Sequence, residues 1–378
     1  MAKLKIIADH KIPFLRGVLE PYAEVIYLPG RSITNELIRD ADALIIRTRT
    51  ICNETLLKDT GVKFIATATI GYDHIDTAWC EAHGIQWANA PGCNSSSVMQ
   101  YIASVLITLS RLKKEDTDGK TMGVIGVGHV GSKVAALATL LGMQVLLNDP
   151  PRARKEGADG FTDLDDLLKN SDVVTLHVPL EKQGPDATWH MAGSAFFDKM
   201  KKGAWFINSS RGSVADNKAL LSAIKDNKPG AVVLDVWEGE PDIDRELLSR
   251  VTIATPHIAG YSADGKAAGT AMAVRSLARF FGLPLASWYP SEVPPPKHPV
   301  IDLAGVPAKE QLANAVLHTY SVLEDDNRLR LSPETFEAQR ENYPVRREFP
   351  AYTVKNYAPG REFEDKFRNL GFSIIQKK

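Results

Sequence analysis

The stretch that most constrains this chain is Gly126-Val127-Gly128-His129-Val130-Gly131. It follows the apolar run Thr121–Ile125 and opens Val130–Leu141, a stretch with helical patterning. In that setting each glycine has its own task. Gly126 permits a tight turn out of a strand. Gly128 lets a pyrophosphate approach the backbone. Gly131 lets the helix lie close to the strand. The helix N-terminus then offers unpaired N–H groups and the positive end of its dipole to phosphates. Asp149 closes the next apolar run, Gln144–Asn148, about twenty residues further on, where this fingerprint places an acidic residue. A carboxylate there accepts hydrogen bonds from ribose hydroxyls and repels a 2′-phosphate, so NAD is expected over NADP. Arg152 and Arg154 follow Asp149 and keep the opposite preference open, since they could hold a 2′-phosphate.

Around this motif the chain alternates apolar runs with helical stretches. Leu4–Ala8, Glu24–Leu28, Ala43–Arg47 and Phe64–Thr69 read as strands, with helical stretches at Phe14–Leu19 and Thr34–Arg39 between them. Val98–Leu112 reads as a long buried helix. A second series holds strands at Thr121–Ile125, Gln144–Asn148, Val173–Val178, Ala204–Asn208, Ala231–Asp235 and Val251–Ala254. Helices are expected at Asp163–Lys169, Ser194–Lys199, Asn217–Lys225 and Ala267–Phe281. Such alternation implies parallel sheets covered by helices on both faces. Six prolines between Pro284 and Pro299 mark a linker, and Gln311–Glu324 reads as helical beyond it. The expected fold class is α/β: two doubly wound parallel-sheet domains plus a small C-terminal α+β domain. The expected boundaries are 1–110 for a substrate domain (completed by 266–288), 111–265 for a nucleotide-binding domain and 289–378 for the C-terminal domain.

Bulk properties exclude several classes. Lys+Arg is 45 against 46 for Asp+Glu, which argues against a nucleic-acid or membrane surface built on net charge. No run approaches the ~18 apolar residues of a membrane span, and the short N-terminal apolar run is broken by Asp9, so a cytoplasmic protein is expected. Cys52, Cys80 and Cys93 lack C-x-x-C spacing and read as reduced thiols, with no metal site expected. Cys93 beside a Gly-rich turn has no activating base motif to make it a nucleophile.

Three segments stand at the ends of second-series strands, where this architecture places ligands. They are Asn208-Ser-Ser-Arg211-Gly212, Asp235-Val-Trp237-Glu238-Gly-Glu240-Pro241 and Thr255-Pro-His257-Ile-Ala-Gly260-Tyr261. Together they offer a guanidinium, a carboxylate and an imidazole. Moving a hydride at a secondary alcohol needs a group to take or return the hydroxyl proton, and histidine suits it. A neighbouring carboxylate orients the ring and stabilises its protonated form, and an arginine fork grips an α-carboxylate. His257 is therefore assigned as acid/base, Glu240 as its partner and Arg211 as the substrate clamp. Arg47 and Arg49 flank Thr48 at a strand end and are candidates for an anionic group, or else a salt-bridged rim. Trp237 reads as packing. Arg346 and Arg347 read as a solvated face.

These segments resemble the D-isomer-specific 2-hydroxyacid dehydrogenases. The resemblance implies NAD-dependent hydride transfer to or from a small 2-hydroxy acid, here a phosphorylated one, with no nucleic-acid or membrane partner. It implies that Arg211, Glu240 and His257 are catalytic. It implies cofactor contacts at Gly126, Gly128, His129, Val130, Gly131, Asp149, Val178, Ser209, Ser210, Asp235 and Gly260. Thr48, Thr69 and Tyr261 match substrate positions, to which Arg47 is added. The C-terminal region is implied to make a homodimer. Gln100 stands where relatives often have Glu. Other hydroxy acids remain open as substrates, and so does a NAD-sensing binding protein.

Overall fold

The computed structural model describes residues 3–375. They fall into two compact units: residues up to Asn94 together with Ser262–Pro294, and Ser95–Tyr261 together with residues from Pro295 onward.

The first unit is built on β1 (Leu4–Asp9), β2 (Ala23–Leu28), β3 (Ala43–Ile46), β4 (Phe64–Thr67) and β5 (Gln86–Ala88). They form a parallel sheet in the order β2-β1-β3-β4-β5. β3 and β4 are buried along their whole length, as central parallel strands covered on both faces must be. Helix Ala263–Phe281 returns from the other end of the chain and buries Ala273, Val274 and Leu277 against Ile6, Ala8, Ile45 and Ala66.

Two expectations for this unit need correction. Phe14–Leu19 is a series of turns, not a helix. Pro13 precedes it, and Phe14 and Gly17 both take positive φ, 62° and 84°, which breaks helical geometry. The three-residue β5 escaped the sequence reading because so short an edge strand carries almost no periodic signal.

The second unit holds β6 (Thr121–Ile125), β7 (Gln144–Asn148), β8 (Val173–Leu176), β9 (Trp205–Asn208), β10 (Ala231–Leu234) and β11 (Ile253–Ala254). All run parallel in the order β11-β10-β9-β8-β6-β7. The order reverses beside β6, and the loops after β6 and β8 meet at that switch point, where doubly wound sheets bind ligands. A smaller parallel sheet of β12 (Val300–Asp302), β13 (Thr353–Lys355) and β14 (Ser373–Ile375) belongs to the same unit.

The unit boundary falls at Asn94–Ser95, ahead of the break expected at residue 110, and helix Ser95–Lys113 explains why. It is buried on nearly every side from Ser95 to Leu109, with Ser95, Ser97, Gln100, Ser104 and Thr108 included. Its Leu106 and Leu109 share one core with Val124, Val134 and Leu137 of the nucleotide-type half and with Ala315, Val316 and Phe349 of the C-terminal region. Its polar residues turn toward the C-terminal region as well. Gln100 Nε2 donates to Thr319 Oγ1 at 3.0 Å and to the Arg347 carbonyl at 2.9 Å. Ser104 Oγ accepts from the Val322 amide at 3.0 Å. A glutamate at position 100 has no N–H to donate, so glutamine there suits this packing.

Helix Gln311–Glu324, expected as one piece, is two: Ala308–Thr319 and Val322–Leu331. Tyr320 between them is extended and buried, and its hydroxyl donates to Asp325 Oδ2 at 2.9 Å. Tertiary burial of one aromatic overrides local helix preference here. Leu106→Ala, at a fully buried position of the shared core, is expected to cost about 2–5 kcal/mol. A shift of the urea midpoint against the parent chain measures it.

Candidate active site

Of the three glycines after β6, two are held by close approaches and the third faces open space. Gly126 has φ +85°, and a side chain there would meet the His177 carbonyl at 2.8 Å. A Cβ on Gly131 would lie 1.9 Å from the Gly126 carbonyl oxygen. At Gly128 the reason differs: an added Cβ would meet nothing within 4 Å, so this backbone faces open space. Gly128 is also the N-cap of helix His129–Leu140, and no side chain caps that terminus. Its first N–H groups are thus left for a ligand.

Asp149 is oriented by the same loop. Its Oδ2 accepts from the Val127 amide at 2.8 Å, and its Oδ1 caps the following helix by accepting from Arg152 N at 3.1 Å. The two arginines that would favour a 2′-phosphate are both occupied. Arg152 makes a fork with Glu156, Nε to Oε1 at 2.9 Å and Nη2 to Oε2 at 2.6 Å, and donates to the Val127 carbonyl. Arg154 pairs with Asp186. Across the switch point, burial pushes the His177 imidazole down to a pKa of about 3, so it adds no positive charge. Val178 lines the same point, within 2.8 Å of where a Gly126 side chain would be. After β9, the Ser209 hydroxyl is buried without a hydrogen-bond partner. Ser210 is bound by Asn208, whose Oδ1 accepts from its hydroxyl at 2.8 Å and its amide at 3.1 Å. An open glycine, an uncapped helix terminus, a poised carboxylate and an orphaned hydroxyl fit a dinucleotide.

The expected acid/base residues, Glu240 and His257, lie after β10 and β11. His257 Nδ1 and Glu240 Oε2 are 2.7 Å apart, while Glu240 Oε1 accepts from the Trp237 amide at 2.8 Å. Burial raises the Glu240 carboxyl, but the charge and hydrogen bond of His257, the Trp237 amide and the Arg340 charge outweigh it. The group is held below the ordinary carboxylate range. Glu238 is engaged elsewhere, with His190 Nε2 at 2.6 Å and the Asn217 amide at 3.1 Å. Trp237 is core, 2% exposed, its indole donating to the Thr255 carbonyl at 3.0 Å.

Asp235 holds the histidine loop. Its Oδ1 accepts from Thr255 Oγ1 at 2.7 Å and from the Ile258 amide at 2.8 Å, and its Oδ2 accepts from the Ala259 amide at 2.9 Å. His257 itself has φ +56°, a region non-glycine residues occupy at a cost. Arg211 Nη1 donates to the Ser210 carbonyl at 2.8 Å, and Asn208 Nδ2 donates to the Arg211 carbonyl at 3.0 Å. Gly212 presses on the Trp237 carbonyl, 2.0 Å from where a Cβ would sit, so the arginine turn and the acidic loop are in contact.

Residues 100–259 match the D-isomer-specific 2-hydroxyacid dehydrogenase NAD-binding domain, and residues 293–371 match a domain of unknown function. The chain is 51% identical over 352 residues to an erythronate-4-phosphate dehydrogenase of Bacteroides thetaiotaomicron, covering 93% of this chain and 99% of that one. The chain belongs to the D-isomer-specific 2-hydroxyacid dehydrogenase family. Proteins of the same name from Porphyromonas gingivalis and Shigella flexneri are 45% and 40% identical over 93% of this chain, covering 95% and 94% of their own length. Among solved structures, a D-lactate dehydrogenase of Aquifex aeolicus complexed with NAD and lactic acid superposes with a TM-score of 0.63 at 27% identity, covering 74% of this chain and 95% of that one. NAD-bound 3-phosphoglycerate dehydrogenase of Entamoeba histolytica gives 0.63 at 25% identity, covering 78% and 100%. The chain is accordingly an NAD-dependent oxidoreductase.

As a member of this family the chain carries the remaining expected residues in separate settings. Gly260 and Tyr261 end the histidine loop, and Tyr261 packs edge-on against Tyr343 at 5.9 Å. Thr48, Thr69 and Arg47 lie in the first unit. Thr48 is exposed after β3. Thr69 Oγ1 donates to the Gly71 carbonyl at 2.9 Å and stands 2.7 Å from Thr67 Oγ1. Arg47 is bound by buried Asp9, Nε to Oδ2 at 3.0 Å and Nη2 to Oδ1 at 3.3 Å. Cys52 and Cys80 are buried thiols pushed up to about 12 and about 11, beyond nucleophilic use at neutral pH.

Sequence reasoning missed Arg346. It is 5% exposed, not solvated, and its Nη2 donates to Ser97 Oγ and the Ala259 carbonyl. Its guanidinium lies 4.4 Å from the Tyr320 ring centre. Nothing in the local sequence around Arg346 marks it as buried.

Because the folded Glu240 carboxyl is depressed, its pairing with His257 contributes stability above the ordinary glutamate pKa. That contribution is lost as pH falls through the lower folded value. Thermal unfolding of the parent chain and Glu240→Gln, followed from about pH 7 down to about pH 3, is expected to give a gap that closes on acidification.

Proposed function

We propose that the chain oxidises 4-phospho-D-erythronate to 2-oxo-3-hydroxy-4-phosphobutanoate in pyridoxal phosphate biosynthesis. The identity to erythronate-4-phosphate dehydrogenases along nearly the whole chain supports this substrate. The observation that carries the mechanism is the His257–Glu240 contact at 2.7 Å. With Nδ1 directed at the carboxylate, Nε2 is the edge that takes the C2 hydroxyl proton during oxidation. Glu240 stabilises the imidazolium that results and fixes the ring tautomer. Arg211 grips the α-carboxylate and polarises the C2 oxygen.

Gly126, Gly128, His129, Val130 and Gly131 would hold the pyrophosphate, and Asp149 the adenosine ribose. Val178, Ser209, Ser210, Asp235 and Gly260 would line the nicotinamide side. Bound NAD supplies the hydride acceptor. Thr48, Thr69 and Tyr261 are assigned to the substrate. Arg47 remains a candidate for its anionic end, with its Nε and Nη2 edge already given to Asp9. The first unit serves as substrate domain.

The C-terminal region is proposed to pair two copies of the chain. Val300, Leu331, Val345 and Ile375 there are exposed large apolar residues, which a second copy would cover. No helix among the described residues is long and apolar enough to cross a membrane, which suits the cytoplasmic location proposed for the enzyme.

Purified protein given 4-phospho-D-erythronate, with 2-oxoglutarate supplied to regenerate NAD, is expected to turn over well above its rate on 3-phosphoglycerate. Preference for 3-phosphoglycerate would keep the mechanism and overturn the substrate. His257→Ala is expected to lower kcat roughly 10²–10⁴-fold while NAD binding survives. Full activity in that variant would remove His257 from the mechanism.

A further inference from the structure

Arg340 stands on the short helix Phe336–Glu341, within the same compact unit as the catalytic residues. Its guanidinium carbon lies 5.6 Å from the centre of the Tyr261 ring and 5.9 Å from that of Phe336. Phe336 is core, and Tyr261 is braced edge-on by Tyr343, so the seat under the cation is firm. The residue is half-buried and its Nε is fully buried without a hydrogen-bond partner. Among the described residues, Arg340 forms no hydrogen bond or ion pair.

That is out of character for an arginine removed from water. Charged groups that lose hydration are ordinarily paired or hydrogen-bonded, because the desolvation cost is otherwise unmet. Neighbouring arginines obey the rule. Arg330 binds Asp326 and the carbonyls of Leu248 and Val251. Arg328 binds Asp325, and Arg346 binds Ser97 and the Ala259 carbonyl. Arg346 also lies over aromatic rings, but it keeps polar partners through Nη2. Of these four, Arg340 is the one held by rings with no polar partner among the described residues. It is seated on Tyr261, four residues after His257, and its charge reaches Glu240.

The function proposed above gives the substrate two anionic groups. Arg211 is assigned to the carboxylate beside the reacting carbon, which leaves the phosphate. We propose that Arg340 is a phosphate-binding residue of the active site, its guanidinium donating to the non-reacting phosphate of the substrate. The inference rests on the reading that the substrate is phosphorylated. A planar fork held on an aromatic seat is pre-organised for phosphate oxygens and loses little freedom on binding them. It also assigns part of substrate selection to the C-terminal region.

The test compares the full-length parent chain, Arg340→Met and Arg340→Lys on 4-phospho-D-erythronate and on unphosphorylated D-erythronate, with inorganic phosphate as a separate probe. For Arg340→Met, KM for the phosphorylated acid is expected to rise about 10–100-fold, the range a charged hydrogen bond gives. Its preference for the phosphorylated acid should fall by the same factor, with NAD affinity retained as the check on folding. Arg340→Lys is expected to recover part of that loss. Inorganic phosphate should compete with substrate in the parent chain and lose that competition in Arg340→Met.

Equal losses on both acids would overturn the assignment. So would a shifted pH profile with phosphate preference intact, since Arg340 would then act through Glu240. If the parent chain fails to turn over 4-phospho-D-erythronate, the substrate reading falls. Direct titration with inorganic phosphate still judges Arg340: binding that Arg340→Met abolishes supports the proposal, and equal binding by both chains refutes it.

Discussion

Asp235 is 1% exposed at the end of β10, and its carboxylate takes two backbone amides and one hydroxyl from the segment Thr255–Ala259. Burial raises this carboxyl above its ordinary range, against the opposing pull of His257 and of those three donors. The donors make the buried carboxylate tolerable, and in return it dictates the path of the loop. That path forces positive φ on His257, whose amide donates to the Asp235 carbonyl at 2.6 Å. Only with the backbone so fixed does the imidazole meet Glu240. The sheet positions the carboxylate, the carboxylate positions the loop, and the loop aims the His257 imidazole.

A second clamp reaches the same loop from the opposite side. The Ala259 carbonyl accepts from Ser97 Oγ at 2.9 Å and from Arg346. Asp235 therefore holds the amide of Ala259 while helix Ser95–Lys113 and the C-terminal region hold its carbonyl. Arg346 also lies between Tyr320 and Tyr343, and Tyr343 braces Tyr261. The position of the His257 loop thus depends on a region that carries none of the three residues proposed for catalysis. This gives a physical reason for the relatives to share that region along nearly their full length.

Much of this was legible in the sequence because it is local. The strand–glycine–helix unit at Thr121–Leu140 and the acidic residue after β7 are consecutive signals. Arg211, Glu240 and His257 announced themselves by residue type at strand ends, and the structure brings Glu240 and His257 into contact. Other features depend on distant partners. Phe14–Leu19 had helical composition but left-handed turns. Tyr320 breaks a helix to reach Asp325. Arg346 looked like a surface charge because its tyrosine seat and its acceptors lie up to 249 positions away. Gln100 looked like a lost charge until its two acceptors in the C-terminal region were visible.

The core common to helix Ser95–Lys113 and the C-terminal region has a consequence for heredity. Ala315, Val316, Phe349 and Phe367 complete the same apolar cluster as Tyr101, Leu106 and Val124. A gene shortened before this region would encode a protein with a bare apolar helix face, an aggregation hazard rather than a smaller enzyme. A gene fragment carrying the region alone would be equally exposed. The two stretches are therefore bound to be inherited together, and a lineage could part with the tail only after rewriting the helix it covers.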